Sequence, residues 1–235
     1  MLRHDEHAAG VRFAFTDRHG GVSRPPYASF NLAAHVGDDP AAVAANRARL
    51  SAEIGVPVAW MEQVHGVTVA VVDAPRQPPP QADALVTTTR GLALGVLVAD
   101  CTPVLVADPA AGVVGVAHAG RKGLAAGVVP ALLAAMAEAG ATQLVARVGP
   151  SVCGRCYAVP AQLQEEVARV VPGARSTAAD GSPALELAAG VVDQLTAAGA
   201  AVEWLPECSV EDGDLFSYRG EGGVTGRYAG LVWLP

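Results

Sequence analysis

Three residues in this chain offer the donor atoms of a metal centre. His65 lies in WMEQVHG, Cys101 in LVADCTP and His118 in VGVAHAGRKG, each at the end of an apolar, strand-like run and close to a glycine or proline that favours a turn. Strand ends are where α/β proteins tend to build their sites. Two imidazoles and one thiolate form a borderline-soft set suited to zinc, and three protein ligands leave a fourth position open, as in catalytic zinc sites. Such a centre would activate water for attack on an electron-poor carbon. Spacing alone leaves two other readings open. The three side chains could be hydrogen-bonded core residues. Alternatively, Cys101 could be a metal-free nucleophile, deprotonated by His65 or His118, oriented by Asp100 and helped at an oxyanion by the Gly120 and Arg121 amides.

Further candidates surround this trio. Asp100, next to the thiol, could handle a proton or orient a ligand. Arg121 and Lys122 open an expected helix, where free N–H groups favour phosphate or a carboxylate, although two solvated basic residues would read the same way. His35 in NLAAHVGDD could join Asn31, Asp38 and Arg47 in a polar network or touch substrate directly. In VGPSVCGRCYAVP, Arg155 and Tyr157 are candidates to face a substrate. The Cys153-x2-Cys156 pair beside them is expected to pack, because a four-cysteine zinc site would need Cys208 and also the Cys101 thiolate. The SYRGEGGVTGR segment brings Tyr218, Arg219, Thr225 and Arg227 to compact turns that close the fold, with a ligand inside the closure. His4 and His7 fall in a terminus expected to fray, and His19 in a surface turn.

The elements that must position these residues follow from periodicity. Val11–Thr16 reads as a strand. Pro40–Ile54 reads as a helix, with Asp39 as cap, Pro40 in the first turn and Gly55 as stop. Short strands are expected at Ala59–Val64 and Thr68–Val72 on either side of His65, and longer ones at Leu92–Ala99, Pro103–Ala107 and Gly112–Ala117. Gly123–Ala139 is expected as one helix with Leu124, Val128, Leu132 and Met136 on its inner face. Leu144–Val148 and Val202–Leu205 read as strands. Pro160–Val171 reads as a helix with Leu163, Val167 and Val170 inward, and Pro183–Ala198 as another helix. Strands alternating with helices argue for an α/β arrangement of layers in one domain over residues 1–235.

Of the 235 residues, 51% are hydrophobic, enough for a sizeable core. Sixteen Lys and Arg against twenty-three Asp and Glu give a formal charge of −7. That balance disfavours a nucleic-acid partner. Apolar runs are cut by Asp100, Thr102 and Asp108 before membrane-spanning length, and the N-terminus has no secretory apolar run. Four cysteines do not make a disulfide scaffold. A cytoplasmic enzyme that is a monomer or a small homo-oligomer is the expectation. No Rossmann fingerprint or P-loop is present.

Taken together, NLAAHVGDD with NRARL, WMEQVHG, ADALVTTTRG, LVADCTPVLVAD, VGVAHAGRKG, VGPSVCGRCY and FSYRGEGGVTGR span nearly the whole chain. In this order they resemble the bacterial laccase-domain, polyphenol oxidoreductase-like family, also described as multifunctional purine nucleoside enzymes. The resemblance implies a four-layer α/β/β/α sandwich with mixed sheets and a zinc ion held by His65, Cys101 and His118. It also implies phosphorolysis of adenosine, inosine and methylthioadenosine, with purine nucleosides and inorganic phosphate as partners, and hydrolytic deamination of adenosine. Lys122 and Arg121 are then the local candidates for phosphate. An older family label implies copper-dependent phenol oxidation, with Cu2+ in place of zinc. Laccase chemistry of the multi-copper type needs several copper centres, which six histidines and one His2Cys group do not obviously supply. Two departures stand out. The family continues HAG with Trp-Arg where this chain has Arg121–Lys122, and its Tyr-Glu becomes Tyr157–Ala158.

Overall fold

The apolar runs that lead to Cys101 and His118 become strands, whereas the strand expected at Ala59–Val64 is cut to Val58–Ala59 and an isolated bridge at Glu62, which leaves His65 in a loop. The computed structural model describes residues 1–8 and 10–235. In chain order its elements begin with β1 (Leu2–Ala8), β2 (Val11–Thr16), α1 (Pro40–Ile54), β3 (Val58–Ala59), β4 (Val69–Val71), β5 (Ala84–Thr87), β6 (Ala93–Val98), β7 (Thr102–Asp108) and β8 (Val113–Ala119). They continue with α2 (Arg121–Ala126), α3 (Val128–Glu138), β9 (Val145–Val148), α4 (Ala161–Val170), β10 (Arg175–Thr177), β11 (Pro183–Leu185), α5 (Leu187–Ala197), β12 (Ala201–Trp204) and β13 (Tyr228–Trp233). One sheet runs β1-β2-β13-β6-β3 and a second runs β12-β9-β7-β8-β5-β4, while β10 and β11 form a separate hairpin. Both large sheets are mixed. β3 is parallel to β6, β4 to β5 and β12 to β9, and the other pairs are antiparallel.

The two-residue period of β8 shows how the layers form. Val114 and Val116 point into the core between the sheets, beside Leu85 and Leu105 of the same sheet and Phe13, Leu94 and Tyr228 of the other. Val113 and Ala117 point to the opposite face, where Leu124, Val128, Leu132 and Met136 pack. The outer face of the first sheet is covered by α1 through Leu50 and Ile54. Helix, sheet, sheet and helices therefore stack in the expected four layers. His118 keeps the parity of Val114 and Val116, which carries it to the end of the inter-sheet layer.

α1 has the expected bounds, with Asp39 accepting from the Ala41 N–H and Gly55 closing it at φ 77°. The single helix expected at Gly123–Ala139 is instead two, α2 and α3, broken at Gly127 with φ 98°. Pro130 explains the break: in a continuous helix its ring would meet the Ala126 carbonyl, whereas in the first turn of α3 it is harmless. The helix expected from Pro183 begins only at Leu187. Residues 183–185 are a strand whose backbone groups bond Val159 and Tyr157. Val170, expected inward on α4, is 56% exposed, and Gln164 and Ala168 fill the inner face with Val167. The N-terminus expected to fray is β1, paired along β2, and there His4 Nε2 lies 2.9 Å from the Glu207 carboxylate.

Candidate metal centre and its cavity

His65, Cys101 and His118 converge. One ligand atom from each lies within 4.8 Å of the others, and the His65 and His118 rings meet edge to face with centroids 4.6 Å apart. Cys101 Sγ is 3.9 Å from His65 Nε2. His118 is buried, Cys101 half-buried and His65 exposed, so the cluster opens toward solvent on one side. The approach is close because Gly120 has no side chain: a Cβ there would sit 2.7 Å from His65 Cδ2 and 3.1 Å from Cys101 Sγ.

Sequence reasoning missed the residue that organises this cluster. Asp83 is fully buried, and its Oδ1 lies 2.9 Å from His118 Nδ1. The same carboxylate accepts the backbone N–H groups of Val64, His65 and Gly66 at 3.2, 2.9 and 2.6 Å. One acid thus fixes one imidazole directly and the turn carrying the other. With Nδ1 turned to Asp83, His118 has Nε2 on the side of Cys101, where it could serve as a metal ligand. Burial opposes the Asp83 charge, but His118 and the Gly66 and Val64 amides outweigh it and hold the carboxyl below its ordinary value. The available signal was an acid set in the apolar run ADALVT.

Backbone strain marks the same place. His65 at φ 61° and Asp100 at φ 93° are the two non-glycine residues with positive φ among those described. Such conformations cost about 1–3 kcal/mol each and persist where the surroundings impose them. Asp83 imposes the first. At Asp100 the carbonyl accepts from Val152 N, and the carboxylate accepts from Ser209 Oγ at 2.7 Å, Ser217 Oγ at 2.6 Å and Arg219 N at 2.7 Å. The Asp100 carboxylate therefore ties the C-terminal loops to the site and makes no hydrogen bond to a ligand side chain.

Burial opposes a charge on Cys101, yet the positive His118 and hydrogen bonds to both histidines bring its thiol down to about 6. Burial likewise opposes a charge on His118, while the Cys101 thiolate and Asp83 raise it to about 9. The two directions together favour a thiolate beside an imidazolium. The three ligand atoms, mutually close and with one open side, fit a borderline divalent ion.

A cavity of about 610 Å³ opens on the cluster. Besides the trio, its wall includes His35, Arg121, Tyr157, Tyr218, Arg219 and Arg227. His35 sits where the wall strips part of its water and where Arg227 and Arg47 add positive charge, which holds it below its ordinary value. Arg219 lies 4.8 Å over the Tyr157 ring. Four candidates from the sequence, Lys122, Arg155, Asn31 and Arg47, fall outside this wall. Lys122 is exposed. Arg155 pairs with Glu211 at 2.7 Å. Asn31 is fully buried, where it bonds Ala33, Asp38 and the Arg227 N–H. Arg47 lies behind the wall, bonding the Leu32 carbonyl and covering Trp60. Gln63 lines the cavity, but its amide is engaged, donating to Leu97 O and accepting from Leu97 N at 2.7 and 2.9 Å. It extends the β6 edge toward His65. The cationic set is Arg121, Arg219 and Arg227. Only Arg121 was singled out for an anion from the sequence, the other two being placed near the closing turns.

Residues 12–235 match the family described as multi-copper polyphenol oxidoreductase laccase. The chain belongs to this family. It is 53% identical over 242 residues to a purine nucleoside phosphorylase of Streptomyces coelicolor, covering 100% of both chains. A purine nucleoside phosphorylase of Streptomyces griseus is 55% identical over 233 residues, covering 95% of this chain and 94% of that one. Among solved structures, a Neisseria meningitidis protein labelled as family DUF152 superimposes with a TM-score of 0.90 at 34% identity, over 99% and 98% of the two chains. YlmD from Geobacillus stearothermophilus does so at 0.85 and 31%, over 96% and 92%.

Proposed function

We propose that this chain is a zinc-dependent purine nucleoside phosphorylase acting on adenosine, inosine and methylthioadenosine, with hydrolytic deamination of adenosine at the same site. The observation that carries the reading is the convergence of His65, Cys101 and His118, steered by Asp83, on an arginine-lined cavity. Phosphorylase relatives that align along the whole chain support the reaction class. Zinc held by His65, Cys101 and His118 would supply Lewis acidity to a water or substrate oxygen.

In phosphorolysis a phosphate oxygen attacks the ribose anomeric carbon as the bond to the base nitrogen breaks, and the base departs with the bonding electrons and takes up a proton. Arg121, Arg219 and Arg227 provide planar donors to hold and orient the phosphate, the role that sequence reasoning gave to Arg121 and Lys122. Burial raises the Tyr157 phenol, against the lowering effect of Arg121, so Tyr157 keeps its proton and can offer it to an acceptor on the substrate. The exposed Tyr218 ring at the rim offers an apolar face to a purine. Asp100 fixes the Arg219 backbone and so acts as a positioning residue. In deamination, water adds to the purine carbon bearing the amino group, and nitrogen leaves as ammonia.

The oxidase named in the family description draws less support, because the described residues offer one His2Cys group rather than several imidazole-rich centres. The thiolate–imidazolium pair favours a second reading, a metal-free Cys-His hydrolase. We also place the protein in the cytoplasm, where its clustered free thiols stay reduced. Among the described residues no helix is long and apolar enough to cross a membrane.

Metal quantification coupled to product analysis separates these reactions. Free base and ribose-1-phosphate, formed only when phosphate is supplied, mark phosphorolysis, and inosine from adenosine marks deamination. Turnover without oxygen or an electron acceptor counts against the oxidase. Cys101→Ala should lose the metal of this centre and turnover together while staying folded. Full activity in chelator would instead support the hydrolase.

A further inference from the structure

The cysteines expected only to pack form a cluster of their own. One ligand atom each from Cys153, Cys156, Cys208 and Glu211 lies within 4.8 Å of the others, and Cys101 is not among them. The objection that a second site would need the Cys101 thiolate is thereby removed, because Glu211 takes the fourth position. Two short chain segments supply the four groups with one pattern, Cys153-x2-Cys156 and Cys208-x2-Glu211. Each closes the same i to i+3 turn: Cys156 N donates to Cys153 O at 3.0 Å, and Glu211 N donates to Cys208 O at 3.1 Å.

The backbone sets these turns side by side. Ser151 N donates to Glu207 O at 3.1 Å and Ser209 N to Ser151 O at 3.0 Å, so the two segments pair immediately before the ligands diverge. Cys153 N also donates to Cys208 Sγ at 3.3 Å, a contact that strengthens when the sulfur is a thiolate. Paired Cys-x2 turns are the usual spacing of structural zinc sites. A tetrahedron with metal–sulfur bonds of about 2.3 Å has edges of roughly 3.8 Å. The side chains thus need to close by about an ångström at most. Cys153 and Cys156 are half-buried, and a cavity of about 180 Å³ bordered by Cys153, Cys208 and Glu211 gives an ion access.

We propose that Cys153, Cys156, Cys208 and Glu211 bind one divalent ion, zinc by donor chemistry, as a closed structural site distinct from the His65–Cys101–His118 centre. Binding releases the thiol protons to solvent and leaves a complex of formal charge −2. Arg155, which donates to both Glu211 oxygens at 3.0 and 2.7 Å, balances part of that charge and orients the carboxylate. The ion clips the loop after β9, which carries Val152 and Tyr157 into the cavity wall, to the loop after β12, whose Ser209 bonds Asp100. Four ligands and no open position make it a fastener rather than a second reaction centre.

Cobalt substitution reads the site without reference to activity. In a Cys101→Ser variant every cobalt–thiolate charge-transfer band must come from the second cluster. The expected result is one tightly held cobalt per chain with strong thiolate absorption, lost when Cys153→Ser and Cys208→Ser are added and weakened in Glu211→Gln. In the unmodified protein, purified with reductant and zinc, Cys153 and Cys156 should resist alkylation until a chelator is added, and this arm does not depend on the variants folding. Cys101→Ser protein with a native circular dichroism spectrum and no cobalt–thiolate band would overturn the proposal. So would immediate alkylation of zinc-loaded protein, or a Cys153–Cys208 or Cys156–Cys208 disulfide in protein purified anaerobically.

Discussion

Each oxygen of Asp83 serves two donors: Oδ1 takes His118 Nδ1 and His65 N, and Oδ2 takes Gly66 N and Val64 N. Asp83→Asn keeps the volume but turns one acceptor into a donor, which must face either a backbone N–H or the imidazole. A buried group without its partner costs about 1–3 kcal/mol. Stability measured by denaturant should fall by that amount. Affinity for zinc, measured by competition with a chromophoric chelator, should fall about 10–100-fold, the usual cost of losing a partner that orients a metal ligand. Unchanged zinc affinity in a folded variant would remove Asp83 from the centre. Gly120→Ala makes the complementary test. Its new methyl would press on the exposed His65 ring, a side chain that can move, so stability should change by less than about 1 kcal/mol. Zinc affinity and turnover should fall together. A variant with normal zinc content would mean that Gly120 does not set the ligand spacing.

At the scale of elements, turns do the positioning, and one of them ties the layer behind the site. Asp108, at the end of β7, accepts the backbone N–H groups of Ala110 and Ala111 through one oxygen and of Thr142 and Gln143 through the other. It thereby joins the β7–β8 hairpin to the entry of β9. Burial opposes its charge, but these four amides bring the carboxyl down to about 2. The unfolded chain, with an ordinary value of about 3.9, binds the proton first as pH falls. The contribution of Asp108 is therefore full above about pH 4 and lost as pH falls through about 2. Asp108→Asn should destabilise by about 1–3 kcal/mol near neutral pH, and urea titrations should show its deficit shrinking from pH 4 downward. A deficit independent of pH would mean that the charge is irrelevant. The same local logic decides what was legible in the sequence. α1 could be read to its ends because Asp39, Pro40 and Gly55 act within a few residues of it. Cys101 and His118 could be read because strand ends and family motifs both mark them, and His65 because its family motif does. The break at Gly127 was signalled by Pro130 but overridden by helical periodicity. The partnership of Asp83 and His118, and the arrival of Arg219 and Arg227 from beyond α5, join distant parts of the chain that no local pattern connects.

Across the whole molecule, the site sits on a seam. β7 and β8 of the second sheet adjoin Cys101 and His118, the chain from β3 to β4 passes from the first sheet to the second through His65, and Arg227 directly precedes β13 of the first sheet. Holding that seam closed is the task of the inter-sheet core, where Leu105 is fully buried and its Cδ2 would lie 3.1 Å from a Cβ placed on Gly230 of β13. From a layer shared in this way we propose that the two sheets unfold as one cooperative unit. Tryptophans offer a reporter on each side: Trp233 in β13 of the first sheet, and Trp204 in the edge strand β12 of the second. Variants retaining one or the other should unfold at the same denaturant midpoint, coincident with far-ultraviolet circular dichroism. Leu105→Ala opens a cavity between the sheets and should cost about 3–5 kcal/mol, lowering the melting temperature by roughly 6–20 °C. The decisive feature is that both reporters should shift together. If Trp204 lost its signal early while Trp233 held, the sheets would be separate units, and a centre built across their seam would need bound metal or substrate to keep it assembled.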